Sequence, residues 1–388
     1  MPTIKPLIAY ILSIPLSLLF IFTGKRTVIF SASLGKSFSG NPKALFIHIL
    51  QNEKSLNPIW VSKNKEVVAK IKKEFGEDKA HYSFSLKGLI AGSKGKTFVL
   101  SNMRGDIPYW FGTKFIVQTY HGIIIKKLYY LEDKKNLSFV HRFIAKVFSR
   151  SYDLVPCTSD IMKTIFAAMW RIDPGKCVTT GLPRNDSMFV KNDKQKTIKK
   201  YYQKLPEFKK IILYAPTFRK DKPTRLLPFD DEDQKKTFIK TLEDEKYLLL
   251  LRPHPHNNHS EVPIKHERIM FCDGKIAPDA QEILTITDIL ITDYSSIYLD
   301  FLLLDKPLFF VPYDLEEFQK GQGTSFDYQA ITPGPHLKSF KHFSDELLAL
   351  KTEDKYQGER KAVQKLFYSK PDNKSCERVT KLIKKSFK

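Results

Sequence analysis

The sequence predicts an α/β protein with two doubly wound domains that face a common cleft, and three observations lead to this prediction. The chain has 388 residues, more than the roughly 100–200 residues of a typical domain. Short apolar stretches alternate with helical patterns, as in a parallel sheet that helices cover on both faces. A polar, lysine-rich segment at 191–209, predicted to be a linker, separates two such sets.

An N-terminal hydrophobic segment, residues 1–26, precedes the first set. Its apolar run at 6–22 is uncharged and is flanked by basic residues. The run is slightly shorter than the ~20 residues that cross a bilayer, and Pro15 would kink a helix without excluding it from a membrane. A membrane anchor or interfacial segment is the favoured interpretation. A buried helix, or a cleaved signal with its site near Ser31, remains open.

The first predicted domain covers residues 27–190, and polar turns or amphipathic helices follow its apolar strands. The predicted strands are 27–32, 58–62, 97–101, 115–119, 153–157 and 178–180. The predicted helices are 41–52 and 66–75.

The second predicted domain covers residues 210–388 and repeats the pattern. Its predicted strands are 210–215, 246–252, 289–292 and 307–311. Its predicted helices are 233–243, 280–287, 296–304 and 375–388. Ligands of doubly wound sheets bind at the carboxyl ends of the strands, so polar motifs directly after these strands are candidate sites.

The charge balance favours polyanionic partners. The chain has 64 Lys and Arg against 42 Asp and Glu, a formal net charge of +22, which attracts nucleic acid, anionic lipid or phosphate-rich substrates. Zinc-finger spacing, an arginine-rich arm and RNP-like aromatic motifs are missing from the sequence. We therefore expect an anionic membrane surface as a partner and no nucleic acid. The four cysteines show no CxxC spacing and indicate reduced thiols.

The sharpest motif is Asp293-Tyr294-Ser295-Ser296, directly after the strand 289–292. A helix is predicted to begin there, and the free N–H groups and positive dipole end of a helix N-terminus attract phosphate. Ser295 and Ser296 add hydroxyl donors. Capping of the helix by Asp293 or Ser295 is the structural alternative, but it accounts for one residue and not for the whole motif.

An Arg-Pro-His-Pro motif at 252–255 ends another strand. The prolines stiffen the backbone and hold the imidazole in a defined direction. His254 is predicted to contact a diphosphate, and Arg252 to grip it with two N–H groups. Two alternatives stay open: a plain surface loop, and a metal site with His256 and His259. The metal site lacks a carboxylate and the spacing of known sites.

A third motif, Thr-Tyr-His-Gly at 119–122, follows a strand of the first domain, with Lys126 and Lys127 shortly beyond it. Gly122 allows a ligand or backbone to approach closely. His121 would face the cleft, where an acceptor hydroxyl must lose its proton, so general base is its predicted role. A histidine satisfied in the core is the alternative.

Two further clusters support this picture. The sequence YAPTFR follows the first strand of the second domain and supplies the hydroxyl of Thr217 and the guanidinium of Arg219. The sequence GLPRND, with Arg184 and Asn185, lies at the predicted domain junction. An ordinary Gly/Pro/Asn turn is the alternative there.

In their order along the chain, these segments resemble the CDP-glycerol glycerophosphotransferase family, which includes teichoic-acid primases and polymerases and related capsule enzymes. Each segment alone is weak evidence, and seven in order are specific. The likeness covers about residues 27–335. Its segments are 30–37, 121–122, 181–186, 214–219, 252–255, 291–296 and 313–318.

The resemblance implies a GT-B-like fold, with the donor bound mainly by the second domain and the acceptor side on the first. It implies that His121 is the catalytic base and that His254 engages the donor diphosphate. The residues on donor-site positions are Thr217, Arg219, Arg252, Asp293, Ser295, Ser296, Glu316 and Glu317, with the glutamates expected near the ribose. The residues on the acceptor side are Gly122, Lys126, Lys127, Arg184 and Asn185.

The chain departs from the family between its histidine and lysine. The family usually reads His-Gly-Thr-Pro-Leu-Lys, whereas three isoleucines follow Gly122 here before Lys126. His336 likewise replaces an apolar residue after Gly-Pro. These departures leave the identity of the acceptor open.

Motifs and resemblance together predict a membrane-associated transferase at the cytoplasmic face of the cell membrane. It would move glycerol phosphate, or a similar polyol phosphate, from CDP-glycerol or CDP-ribitol to a hydroxyl of a lipid-linked teichoic-acid or capsule polymer and release CMP. No cofactor is predicted, and divalent-ion dependence is left open. The alternatives are a GT-B glycosyltransferase with a nucleotide-sugar donor and a non-catalytic membrane-associated protein that binds an anionic polymer.

Overall fold

The computed structural model describes residues 4–20, 26–102, 114–132, 149–219, 223–254 and 264–387, with isolated positions between 143 and 147. The chain divides into two compact units. The first comprises Met1–Gly122, Tyr129–Asp186 and Ser369–Lys388. The second comprises Ile123–Leu128 and Ser187–Tyr368.

The first unit contains a parallel five-stranded sheet in the order β3-β2-β1-β4-β5. Two further strands, β6 and β7, pair in parallel. A bridge from Val117 to Leu154 links the segment before β6 to β5. The strands are β1 Thr27–Phe30, β2 Asn57–Ser62, β3 Ala80–Tyr82, β4 Thr97–Leu100, β5 Phe115–Gln118, β6 Val155–Cys157 and β7 Cys177–Thr179. The helices before β7 are α1 Ile4–Phe20, α2 Gly40–Asn52, α3 Lys65–Phe75, α4 Leu86–Lys94 and α5 Asp160–Trp170.

The second unit contains another parallel five-stranded sheet, in the order β10-β9-β8-β11-β12. Its strands are β8 Lys210–Tyr214, β9 Tyr247–Leu251, β10 Ile269–Phe271, β11 Ile289–Thr292 and β12 Leu308–Phe310. Its helices are α6 Lys194–Lys199, α7 Glu232–Asp244, α8 Ala280–Ile286, α9 Ile297–Phe301, α10 Leu315–Gly321, α11 Phe340–Ala349 and α12 Gln357–Phe367. The predicted α/β fold with parallel sheets is therefore confirmed.

Each unit has its own hydrophobic core on its sheet. Strands such as β1, β9 and β11 are buried along their whole length, as expected of parallel strands covered on both faces. In the first unit an aromatic cluster fills the space over the sheet, with Phe46 edge-on to Phe30 and Trp60 at 5.5 and 5.8 Å between ring centroids. In the second unit Phe238 and Phe343 pack at 4.5 Å.

The two sheets share one strand order, with the first strand of each in the centre. In such a sheet the connections diverge on either side of the central strand, and ligands bind at the carboxyl ends beside it. In the second unit this point lies between β8 and β11. The motifs at 214–219 and 293–296 directly follow these two strands, so the fold places them side by side.

The C-terminal helix, α13 Ser375–Lys385, was predicted to belong to the second domain, and this prediction is wrong. Its apolar face, with Val379 and Ile383, is part of the first unit's core. Asp186 accepts hydrogen bonds from the backbone N–H groups of Ser375 and Cys376 at 2.9 and 2.8 Å. The carboxylate thus satisfies the free donors at the start of α13.

The segment 191–209, predicted to be a linker, contains the short helix α6 and belongs to the second unit. α6 packs against α8, and Ile198 is buried. Lys194 forms an ion pair with Asp288. The segment is therefore part of the second unit's folded structure.

The N-terminal hydrophobic segment forms α1, which packs against α4. Ser13 and Ser17, one turn apart, are the buried positions among the α1 side chains that the structure describes, whereas Ile11, Leu18 and Leu19 are 55%, 54% and 67% exposed. At these described positions the buried residues are small and polar, and the exposed ones are large and apolar. Among the residues that the structure describes, no helix has the length and apolarity needed to cross a membrane.

Candidate functional site

The loops after β8 and β11 meet at the side chain of Asp293. The N–H of Thr217 donates to Oδ1 of Asp293 at 2.8 Å, and the N–H of Tyr294 donates to the same oxygen at 2.6 Å. Asp293 is fully buried. Its carboxylate therefore fixes both loops at the carboxyl end of the sheet.

Arg219 occupies the centre of this arrangement. Its Nε and Nη2 donate to the two carboxylate oxygens of Asp314 at 2.9 and 2.8 Å. Its Nη1 donates to Oδ2 of Asp293 at 2.8 Å and to the carbonyl of Thr217 at 2.6 Å. Because Asp314 follows β12, one guanidinium ties together the loops after three strands. We call Arg219, Asp293 and Asp314 the arginine–carboxylate network.

Two tyrosine rings of the second unit flank the guanidinium of this network. The Arg219 guanidinium carbon is 5.0 and 5.1 Å from the ring centroids of Tyr294 and Tyr313, within the range of a cation–π contact. Burial opposes the charge of Arg219, but hydrogen bonds to Asp314 and the charge of Asp293 outweigh it and raise its pKa. Arg219 is therefore permanently cationic.

The geometry changes the role expected for Arg219. A guanidinium has five N–H groups, and four of them are used within the protein. Asp293 is likewise fully engaged by Arg219 and two backbone N–H groups. These two residues position the loops of the site, and Arg219 retains at most one N–H group for a ligand.

Arg252 was predicted to bind a diphosphate with two N–H groups. In the structure its Nη1 instead donates to backbone carbonyls of the protein. Nη1 donates to the carbonyls of Cys272 and Ala277 at 2.7 and 2.8 Å. These contacts hold the loop that follows β10. Arg252 therefore supports the strand end from which the next motif residue projects.

His254 lies two residues further along and is exposed. Its ring centroid is 5.8 Å from that of Phe218, the residue before Arg219. The loops after β8 and β9 are thus neighbours, and His254 lies beside the segment 217–219. His256 and His259, the partners of the metal-site alternative, lie outside the described residues.

Ser295 and Ser296 directly precede α9 and are half-buried. The predicted helix 296–304 is shorter than expected: α9 has five residues and a single 3₁₀ turn, Leu302–Leu304, follows it. Ser296 makes no side-chain capping bond, and Oγ of Ser295 accepts from the N–H of Ile297 at 3.5 Å. The capping alternative thus accounts for little of this motif.

Glu316 and Glu317 lie in the first turn of α10 and are exposed. Glu316 makes one contact with Lys320, at 3.9 Å. In the sequence they come two and three residues after Asp314, which belongs to the arginine–carboxylate network.

The turn that carries His121 is held by a buried asparagine. Nδ2 of Asn41 donates to the carbonyls of Thr119 and Tyr120 at 3.1 and 3.0 Å. Its Oδ1 accepts from the N–H of Arg184 at 3.1 Å, and Nη1 of Arg184 donates to the carbonyl of His121. His121 itself is exposed, so the alternative of a core histidine is wrong.

The glycine after this histidine is required by its surroundings. Gly122 has a φ of +152°, and a Cβ atom there would lie 2.7 Å from Nη2 of Arg184. The structure thus brings His121, Gly122 and Arg184 together, with the buried Asn185 beside them in sequence. Sequence reasoning missed Asn41. The one sequence feature that could have pointed to Asn41 is its place in a Gly-Asn-Pro sequence at the start of a predicted helix.

Lys126 and Lys127 were predicted to lie on the acceptor side, but they belong to the second unit. The backbone of Lys126 pairs with Thr324, and the N–H of Lys127 donates to the carbonyl of Gly323 at 3.2 Å. The chain therefore leaves the first unit directly after Gly122. These lysines lie on the unit that was predicted to bind the donor.

In the described part of the chain, no group of three or more His, Cys, Asp or Glu residues is arranged to hold a metal ion. The four cysteines are free and buried, as the sequence indicated.

Arg219→Ala would leave two buried carboxylates without their cation. Breaking a buried ion pair in this way costs about 3–5 kcal/mol, so we expect the free energy of unfolding to fall by that amount in urea denaturation followed by circular dichroism. Arg225→Ala is the matched control, because Arg225 contacts the exposed Asp230 and such surface pairs contribute about 0–1 kcal/mol. Equal losses in the two variants would contradict the central role of Arg219.

Comparison with known proteins finds relatives that are named as teichoic-acid enzymes. The chain is 28% identical over 401 residues to the teichoic acid glycerol-phosphate transferase of Staphylococcus aureus, covering 98% of each chain. It is 29% identical to the teichoic acid poly(glycerol phosphate) polymerase of Bacillus subtilis, covering 85% of this chain and 44% of the polymerase. The chain thus spans nearly all of the first relative and less than half of the second.

Solved structures show the same fold. The structure of the wall teichoic acid polymerase TagF matches with a TM-score of 0.77 at 23% identity, covering 99% of this chain and 97% of that one. A UDP-GlcNAc 2-epimerase from Neisseria meningitidis matches with a TM-score of 0.53 at 13% identity, covering 92% and 100%. The sequence from residue 16 to residue 385 matches a single family description, and the chain belongs to the CDP-glycerol:poly(glycerophosphate) glycerophosphotransferase family.

Proposed function

We propose that this protein transfers glycerol phosphate from CDP-glycerol to a hydroxyl of a membrane-linked teichoic-acid or capsule polymer and releases CMP. The observation that carries the proposal is the arginine–carboxylate network at the carboxyl ends of β8, β11 and β12, with His254 alongside, in a chain of this family. The network fixes the loops where ligands of doubly wound sheets bind.

The second unit supplies the donor side in this proposal. Arg219 and Asp293 position the loops, and Arg252 supports the loop of His254. The hydroxyls of Thr217, Ser295 and Ser296, together with His254, are proposed to contact the diphosphate. Oγ1 of Thr217 is buried without a hydrogen-bond partner among the described residues, and a buried polar atom of this kind costs free energy unless a ligand satisfies it. The exposed carboxylates of Glu316 and Glu317 are proposed to meet the ribose hydroxyls.

The first unit supplies the base. In the proposed reaction an acceptor hydroxyl attacks the β-phosphorus of CDP-glycerol and its proton passes to His121. A new P–O bond forms to the acceptor, and the bond between that phosphorus and the oxygen of CMP breaks. His121 is exposed on a turn that Asn41 and Arg184 hold rigid, as a positioned base requires.

The acceptor side is proposed to include the surroundings of this turn. Gly122, Arg184 and the adjacent Asn185 lie within it or beside it, and a guanidinium suits the phosphates of a teichoic-acid chain. Lys127 comes after this turn in the sequence but belongs to the second unit.

We further propose that α1 lies in the interface of an anionic membrane. Its outward side carries large apolar residues, including Ile8, Ile11 and Leu12 at 50%, 55% and 50% exposure. The chain has a formal net charge of +22, which attracts anionic lipid. An apolar helix face combined with basic charge is the pattern of helices that lie on a membrane.

The function is tested by product analysis. Membranes containing the protein are incubated in parallel with CDP-glycerol, CDP-ribitol and UDP-N-acetylglucosamine, and nucleotide release is measured. We expect CMP from CDP-glycerol together with incorporation of labelled glycerol phosphate into polymer. Release of UDP with sugar incorporation would assign the protein to glycosyl transfer instead. Binding of CDP-glycerol without turnover would make it a binding protein.

His121→Asn keeps a polar side chain of similar shape and removes the base. Because a positioned general base contributes about 10²–10⁴-fold, we expect kcat to fall by that factor while the KM for CDP-glycerol changes little. His48→Asn, the same substitution at a half-buried position on α2, is the control and should keep wild-type kcat. A His121→Asn variant with near-normal turnover would refute the assignment.

The membrane proposal is tested with Leu18→Ser combined with Leu19→Ser. Each leucine that enters the lipid contributes about 1.5–3 kcal/mol, so we expect at least tenfold weaker sedimentation with phosphatidylglycerol vesicles. Leu348→Ser combined with Leu366→Ser removes two exposed leucines of the second unit and should leave vesicle binding unchanged. Unchanged binding of the α1 variant would contradict the proposal.

A further inference from the structure

Lys126 has a fixed place on the second unit. Its backbone pairs with Thr324, and the N–H of Ser325 donates to the carbonyl of Ile125 at 2.8 Å. The three preceding isoleucines are buried. The chain on both sides of Lys126 is therefore anchored, and its side chain starts from a defined point beside α10.

The ammonium group of Lys126 lies over an aromatic layer of the donor side. Its Nζ is 5.5 Å from the ring centroid of Phe318. Phe318 stacks on Tyr294 with 4.0 Å between the ring centroids and 10° between the planes. Tyr294 in turn donates a hydrogen bond to Asp314 at 3.1 Å. Lys126 is thus connected, through two stacked rings, to the arginine–carboxylate network.

This ammonium has no anionic partner among the residues that the structure describes. Within the described residues, Nζ of Lys126 makes no hydrogen bond and no ion pair, and its side chain is half-buried. A partly desolvated charge without a partner is unfavourable. Surface lysines of this chain do pair where a carboxylate is close, as Lys194 does with Asp288.

The charged groups nearest to Lys126 come from two loops. Asp293, after β11, attracts the ammonium and Arg219, after β8, repels it. Asp293 is already engaged by Arg219, so it is not free to act as a close partner. From α10 the contact is the uncharged ring of Phe318, and the charged Glu316, Glu317 and Lys320 of that helix are exposed.

We propose that Lys126 is a donor-binding residue, whose ammonium pairs with the diphosphate of CDP-glycerol on the second unit rather than with the acceptor polymer. The inference rests on the proposed function for the identity of the nucleotide. A diphosphate supplies the partner that the ammonium lacks, and an ammonium is a compact point charge suited to phosphate oxygens.

The charge state of Lys126 gives the inference a pH signature. Burial lowers the pKa of Lys126 to about 8, with Asp293 opposing the shift and Arg219 adding to it. The ammonium is charged below that pH and loses its proton above it. A bound diphosphate raises the pKa again, so kcat/KM for the donor should fall as the pH rises through about 8, whereas kcat at saturating donor should fall only at higher pH.

The test compares Lys126→Met, Lys126→Arg and the control Lys320→Met, an exposed lysine on α10. A hydrogen bond to a charged group is typically worth about 10- to 150-fold in affinity. We expect Lys126→Met to raise the KM for CDP-glycerol by a factor in that range, to leave the acceptor KM unchanged and to lose the alkaline fall in kcat/KM. Lys126→Arg should restore donor affinity and shift that fall to higher pH. Lys320→Met should behave as wild type.

Titration of CDP by calorimetry separates this inference from the proposed function. If the wild type binds CDP but transfers no glycerol phosphate, the proposed function fails, and the weaker CDP binding of Lys126→Met still decides the role of Lys126. A donor KM and CDP affinity within twofold of wild type would overturn the inference. So would a loss of stability in Lys126→Met without a loss of CDP affinity, because Lys126 would then only balance the charge of the network.

Discussion

The candidate site depends on one buried guanidinium. Arg219 holds the carboxylates of Asp293 and Asp314 and the carbonyl of Thr217, and so joins loops that follow three different strands. Loops at strand ends are otherwise free to vary, because each is attached to the sheet at its ends alone. Here the cost of desolvating three charges is offset by near-complete hydrogen bonding, and the result is a rigid platform for ligand contacts.

In the first unit, the loops at the strand ends are held by a neutral side chain instead of a charged one. Asn41 uses its amide to hold the carbonyls of Thr119 and Tyr120 and the N–H of Arg184. Both units therefore rely on a buried polar side chain at the carboxyl edge of a parallel sheet, where backbone groups of the loops have no strand to pair with. His121 and His254 are exposed residues on loops next to such anchors, so rigidity and accessibility are combined.

Sequence reasoning located ten of the twelve described strands, because long apolar runs are local signals, and it missed the short edge strands β3 and β10. It placed 289–292 as a strand, as found. It failed where a partner lies far along the chain. Arg219 and Arg252 looked like phosphate ligands, since the sequence does not show that Asp314, or the carbonyl of Ala277, takes their N–H groups. Likewise, the amphipathic pattern of α13 revealed an apolar face without revealing which core buries it.

The last helix, α13, packs in the first unit although it follows the second unit in the sequence, and neither unit is a continuous stretch of sequence. A fragment cut at Asp186 would lose the helix whose Val379 and Ile383 complete its core, and would expose that apolar surface to solvent. The complementary fragment would carry α13 as an unpaired amphipathic tail. Dissection of this protein therefore requires a fusion that rejoins 369–388 to the first unit.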